Sequence, residues 1–131
     1  MTGLDTNVIV RYLVQDDPDQ SAAATRVLET LTTDAPGFVS AISIVELVWV
    51  LQSCYQAARD EIQGVIEGLL RSRQLVVERA ELVWQSLRIF AKGNADFADC
   101  LIERSGHAAG CDHTLTFDQN AAKLAGMKLL R

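Results

Sequence analysis

Apolar residues fall into short runs that alternate with longer stretches of helical spacing. That alternation predicts repeated strand–helix units, and hence an α/β fold with a parallel sheet covered on both faces. From the N-terminus, Thr2–Leu4 forms a first strand. Asp5 or Thr6 caps a helix to about Val14, and Asp17-Pro18 opens a second. Gly37–Ser40 holds the second strand. Ala41 to about Gln52 is a very apolar helix, followed by another over about Arg59–Arg71. Leu75–Val77 is the third strand, with helices after it at about Ala80–Ala91 and Asp96–Ala109. His113–Thr116 gives a fourth strand, Asp118–Leu124 a last helix, and Lys128–Leu130 a candidate fifth strand. Pro18 and Pro36 mark turns. No linker, repeat or low-complexity segment breaks the pattern, and 131 residues is one domain by length.

In such sheets the working residues gather beyond the carboxyl ends of the strands. Asp5 stands just after the first strand and Asp118 just after the fourth. Glu46 and Asp99 lie in the first turns of helices that can pack over the same edge. Carboxylates from four distant segments thus become candidates for one cleft. Each also has a purely structural reading. Asp5, in Asp5-Thr6-Asn7, and Asp118, after Phe117, both suit a helix N-cap. Asp99 follows Asp96 at a helix start, where acids favour the positive end of the dipole. On that helix Phe97, Ala98, Leu101, Ile102, Ser105 and Ala108 form the inner face, while Asp96, Glu103 and His107 point outward. Asp99 sits at the border, half-shielded as a metal ligand should be, and Asp96 reads as a cap or a supporting group. Thr6 and Thr116 are placed to hydrogen-bond a ligating carboxylate or its water.

Glu46 is the most informative of the acids. Its run, Ile44-Val45-Glu46-Leu47-Val48-Trp49-Val50-Leu51, is otherwise apolar. A helix apolar nearly all round is buried, and a buried carboxylate is costly unless paired or metal-bound. The alternatives are a capping box with Ser43 and a narrow polar stripe shared with Ser43 and Ser53.

The composition, 49% hydrophobic and 22% charged, is that of a folded globular protein. The formal net charge of −5 argues against a nucleic-acid partner, because phosphate contacts need Lys and Arg. The acids themselves weaken that argument. Gathered in one cleft, they repel and are driven partly neutral, unless a hard divalent cation that prefers oxygen ligands sits among them. The cation then reverses the local field. Mg²⁺ or Mn²⁺ in such a site activates water and steadies the charge on a phosphodiester. Arg11, Arg88, Lys92 and Arg104 are candidate phosphate contacts against the default of a solvated face. His107 reads as a surface histidine, and Trp49 and Trp84 as core or interface residues. Cys54, Cys100 and Cys111 fit neither a zinc site nor a disulfide framework, so they are expected to be buried thiols in a reducing cytoplasm. The apolar stretch Val8–Val14 is short and broken by Arg11, so it is neither a signal peptide nor a membrane span.

Taken in order, these residues resemble the PIN domain. The matching features are Gly3-Leu4-Asp5-Thr6-Asn7-Val8-Ile9-Val10-Arg11-Tyr12-Leu13, then Glu46 in its apolar helix, Asp99 with Ala98 and Leu101 beside it, and Thr116-Phe117-Asp118. They are most similar to the VapC-type toxins of type II toxin–antitoxin pairs, and the resemblance covers nearly the whole chain. It implies a three-layer α/β/α sandwich around a mainly parallel sheet of about four to five strands, as a single domain over residues 1–131. It implies Mg²⁺- or Mn²⁺-dependent endonucleolytic cleavage of RNA by water, leaving a 5′-phosphate. Asp5, Glu46, Asp99 and Asp118 are then the acids that hold the metal. A homodimer is implied too, together with an antitoxin that inserts a basic or bulky segment into the cleft. Asp96 is an extra acid beside the expected third position, so it competes with Asp99 for that role.

Two other classes fit parts of the pattern. A phosphoacceptor receiver domain needs paired acids after the first strand and a phosphoacceptor Asp after the third. Here the first strand offers only Asp5, and the third is followed by Glu78-Arg79. An inactive PIN fold serving as a binding module is opposed by the intact set of acids.

Overall fold

The computed structural model describes residues 1–131. Strand β1 (Thr2–Gly3) leads into helices α1 (Thr6–Val14) and α2 (Pro18–Thr30). Strand β2 (Gly37–Val39) leads into α3 (Ala41–Cys54) and α4 (Arg59–Arg71), and β3 (Leu75–Val77) into α5 (Ala80–Lys92) and α6 (Phe97–Ala108). Strands β4 (Leu115–Thr116) and β5 (Lys128–Leu129) flank α7 (Gln119–Leu124). The elements are those the sequence predicts, with ends moved by a few residues.

Local chemistry starts most of the helices. Asp17 accepts the Gln20 N–H at 3.0 Å to cap α2, and Pro18 occupies the first turn, where its missing N–H costs nothing. Ser40 caps α3 by accepting the Ser43 N–H at 3.1 Å. Glu61 reaches back to the Ala58 N–H at 3.0 Å at the start of α4. Helix α1 ends where Gln15 turns into the left-handed region at φ 61°.

All paired strands are parallel. Parallel neighbours need a crossover; α1 and α2 supply it between β1 and β2, and α3 and α4 between β2 and β3. The expected single sheet of four or five strands is corrected. The strands form two ladders, β1-β2-β3 and β4-β5. The Thr2 and Leu4 N–H groups both bond toward the β2 side, to Pro36 and Phe38 carbonyls at 2.9 Å each, while Lys128 and Leu130 bond to Thr114 and Thr116. Two-residue strands β1 and β4 carry no ladder between them. At the head of β2 the chain is crowded: a Cβ on Gly37 would meet Leu31 at 2.8 Å and Leu4 and Leu75 at 3.0 Å.

One cluster of 19 buried apolar residues ties α1 and α3–α6 to the three-stranded sheet. Phe90 and Phe97 meet edge to face, 5.9 Å between centroids. A smaller cluster of Ala95, Cys100 and Ala125 binds the C-terminal segment to α6. That packing corrects the expected inner face of α6. Phe97, Cys100 and Leu101 are buried, whereas Ile102 is 55% exposed and Ala108 is open to solvent. Glu103, expected outward, is half-buried and holds Arg104 Nε at 2.7 Å. Helix α3 is corrected too: Ile44, Leu47, Val48 and Leu51 are buried, but Ile42 is 73% and Trp49 62% exposed. Only Cys100 is a buried thiol; Cys54 and Cys111 are exposed. No helix is long and apolar enough to cross a membrane.

Candidate active site

Asp5 lies two residues beyond β1, at the carboxyl end of a parallel strand. It caps α1, one carboxylate oxygen accepting the Thr6 N–H at 2.7 Å. Thr6 itself is buried, and its hydroxyl donates to Glu46 Oε1 at 2.7 Å, joining residues 40 apart in sequence. Thr6 therefore fixes Asp5 through its backbone and Glu46 through its side chain.

Glu46 reaches this position by a route other than the expected one. It is exposed, so burial in an apolar helix is not what marks it. The Ser43–Glu46 capping box does not form either. The cap lies three residues earlier, at Ser40, and Ser43 is buried with its hydroxyl bonded to that of Ser40 at 3.1 Å. Glu46 is thereby left free to face α1. Asp5, Thr6 and Glu46 line one end of a cleft of about 640 Å³.

The other acids form a second group. Asp118, two residues beyond β4, caps α7: one oxygen accepts the Asn120 and Ala121 N–H groups at 2.7 and 3.1 Å. Thr116 Oγ1 accepts the Asp118 N–H at 3.0 Å, so it orients the backbone of Asp118, where the sequence predicts a bond to a carboxylate or its water. Asp96 caps α6 through the Ala98 N–H at 3.0 Å. Asp99 is half-buried and accepts no hydrogen bond. Burial raises its carboxyl above the ordinary carboxylate range, and the charges of Asp96 and Asp118 raise it further. The charges of Asp96 and Asp118 therefore both reach Asp99.

The structure joins Asp5 to Glu46 through Thr6 and sets Asp99 within reach of the charges of Asp96 and Asp118. The acids are not drawn up as a ready-made cage of three or more ligands. Helix α3 relates the two groups. Val45, next to Glu46, lines the first cleft and also a groove shared with Ala98 and Leu101 of α6. The donors are all carboxylate oxygens, the kind a hard divalent cation selects. The like-charge pressure on Asp99 is the strain that such a cation relieves. In chemical type, the residues fit a metal of that class.

A PIN domain family model matches residues 4–127. The chain belongs to the PIN domain family. It is similar to a VapC ribonuclease of Aquifex aeolicus (strain VF5), 25% identical over 121 residues that cover 92% of this chain and 90% of that protein. No solved structure matches it significantly. Family membership removes the receiver-domain alternative.

Of the basic residues considered as phosphate contacts, only Arg11 lines the cleft of this PIN domain. Its guanidinium donates to Asp16 at 3.0 Å and Gln20 at 2.8 Å. Arg104 is committed to Glu103. Arg88 lines a separate pocket with Arg71 and Trp84, and Lys92 and His107 are exposed elsewhere. Trp84 is half-buried, with the Arg71 guanidinium 5.2 Å from its ring.

Two aromatic residues of the cleft were not singled out by their pattern. Trp49, read as core or interface, and Tyr55 both line it. Tyr55 donates to Asp16 at 2.8 Å. The signal for Trp49 was its spacing: three residues after Glu46, it shares that helix face.

Proposed function

We propose that this PIN domain, residues 1–131 as a single unit, is a divalent-metal-dependent endoribonuclease and the toxin of a toxin–antitoxin pair. The observation that carries the reading is the Thr6 bridge, which locks Asp5 and Glu46 into one site at the carboxyl edge of the sheet. Similarity to a VapC ribonuclease supports it.

In this reading Asp5, Glu46, Asp99 and Asp118 hold Mg²⁺ or Mn²⁺, and Asp96 supports Asp99. The cation supplies Lewis acidity, promoting ionisation of the attacking water and offsetting charge on the phosphate. The chain supplies placement. Thr6 holds the Glu46 carboxylate in one orientation, which is worth more to catalysis than proximity alone. Asp118 spends one oxygen on its cap and leaves the other for the site. In the reaction the water oxygen bonds to phosphorus, the P–O3′ bond breaks, and the proton ends on the departing 3′-oxygen. The products carry a 3′-hydroxyl and a 5′-phosphate. The protein acts in the cytoplasm as a homodimer, and an antitoxin that enters the cleft silences it.

The rival reading is a PIN fold that binds RNA without cutting it. One substitution separates the two readings. Asp5→Asn removes a charge at nearly constant volume and keeps an oxygen for the cap. It is expected to abolish Mn²⁺-dependent RNA cleavage and leave circular dichroism unchanged. Undiminished cleavage by the purified variant refutes the assignment, and so does a wild-type protein that never cuts. Expression of the wild type alone is expected to slow bacterial growth, with relief by Asp5→Asn or by a co-encoded small protein. Harmless soluble expression counts against the toxin role only.

A further inference from the structure

We propose that the cleft beyond Asp5 and Glu46 is a nucleobase subsite, in which Trp49 stacks on a base of single-stranded RNA flanking the phosphate held by the acids. The inference rests on the ribonuclease reading and adds how the substrate is gripped.

Trp49 is 62% exposed. Large aromatic side chains carry the biggest apolar area of any residue, and one left open at a cleft marks a surface that meets a partner. It stands one turn of α3 beyond Glu46, on the same face, and lines the same cleft of about 640 Å³ as Asp5 and Thr6. That volume lies within the ~300–1,000 Å³ typical of small-ligand sites. Val10, Val45 and Val50 give the cleft an apolar lining suited to the flat face of a base.

The same cleft also carries polar groups suited to the edge of a base. Asn7 lines it and is exposed. Arg11 is already held by Asp16 and Gln20, and Asp16 is held in turn by Tyr55 at 2.8 Å. Arg11 and Tyr55 are therefore linked through Asp16 on one side of the cleft before a ligand arrives. An aromatic plane, an apolar lining and polar groups at the edge are what single-stranded RNA recognition uses. The net charge of −5 weakens any long-range pull on the phosphate backbone, so stacking must carry a larger share of the affinity. A protein segment, such as the antitoxin's, is the competing occupant, but the apolar lining beside the polar Asn7 and Arg11 matches the face and edge of a base.

The test uses a ribooligonucleotide that the protein cleaves at one bond, and copies made abasic at each flanking position in turn. Trp49→Ala is expected to lower kcat/KM by about tenfold, the scale of one lost stack, while Trp49→Phe keeps most of the activity. One abasic position should cost the wild type a similar factor and cost Trp49→Ala nothing more. A binding readout runs beside it, on the non-cleaving Asp5→Asn protein. The intact oligonucleotide should quench tryptophan emission, and the quenching should vanish when Trp49→Phe is added or when that base is absent. Cleavage indifferent to Trp49→Ala, with no quenching, overturns the subsite and leaves the nuclease standing. Quenching by RNA from a wild-type protein that never cuts supports the subsite and sinks the nuclease. Quenching by apolar peptides but not by RNA assigns the cleft to a protein partner and overturns the proposal.

Discussion

At the scale of single residues, Thr6 is the joint of the site. Its backbone N–H serves Asp5 and its hydroxyl serves Glu46, each at 2.7 Å. Thr6→Val removes the hydroxyl at nearly constant volume. The loss is expected to destabilise the fold by about 1 kcal/mol, the net worth of one hydrogen bond, and to cut RNA cleavage further than stability explains, because Glu46 is released. Denaturant titration beside cleavage rates checks both; a variant with wild-type rates contradicts the positioning role. Asp16 offers a test by pH. The hydrogen bond from Tyr55 holds its carboxyl below the ordinary carboxylate range, and Arg11 adds to this. A carboxyl lowered in the folded state contributes stability above its ordinary pKa and loses it as pH falls through the folded value. Tyr55→Phe should therefore move the Asp16 titration upward, as followed by NMR, and reduce the dependence of stability on pH in the acid range. An unmoved Asp16 titration refutes the assignment.

At the scale of elements, Arg59 at the head of α4 sets where α6 begins. One guanidinium nitrogen donates to the carbonyls of Phe90, at 3.0 Å, and Ala95, at 2.7 Å. The group also lies 4.2 Å from the centre of the Phe90 ring. It thus fastens the end of α5 and the turn leading to Asp96 and Asp99. Arg59→Met keeps the apolar stem and loses both bonds, an expected cost of about 2 kcal/mol; thermal unfolding measures it, and an unchanged midpoint contradicts it. This link could not be read in sequence, because its partners lie 31 and 36 residues away. What was legible is local. Asp5, Asp17 and Asp118 announce helix starts because an N-cap bonds within three residues. Where two caps compete locally, as Ser40 and Ser43 do, only the fold decides. Helix α3 misled for a related reason: its apolar run implies burial, yet Ile42 and Trp49 face outward. The face of α6 was misjudged because Cys100 packs against Ala125 of the C-terminal segment, a contact no periodicity reveals.

At the scale of the whole molecule, the order of acids along the chain was readable, and so was the place of Asp5 and Asp118 after parallel strands, since both follow from the alternation of strands and helices. Their grouping was not. The fold ties Asp5 to Glu46 through Thr6 and lets the charges of Asp96 and Asp118 reach Asp99. Acids of both sets holding one cation would link the three-stranded ladder to the β4–β5 ladder, which share no strand pairing. The most direct test is a crystal grown with Mn²⁺ and analysed by anomalous scattering. The account predicts manganese bonded to oxygens of both groups, at the least Asp5 and Asp99. Manganese bound by one group alone, or by none of Asp5, Glu46, Asp99 and Asp118, would contradict it.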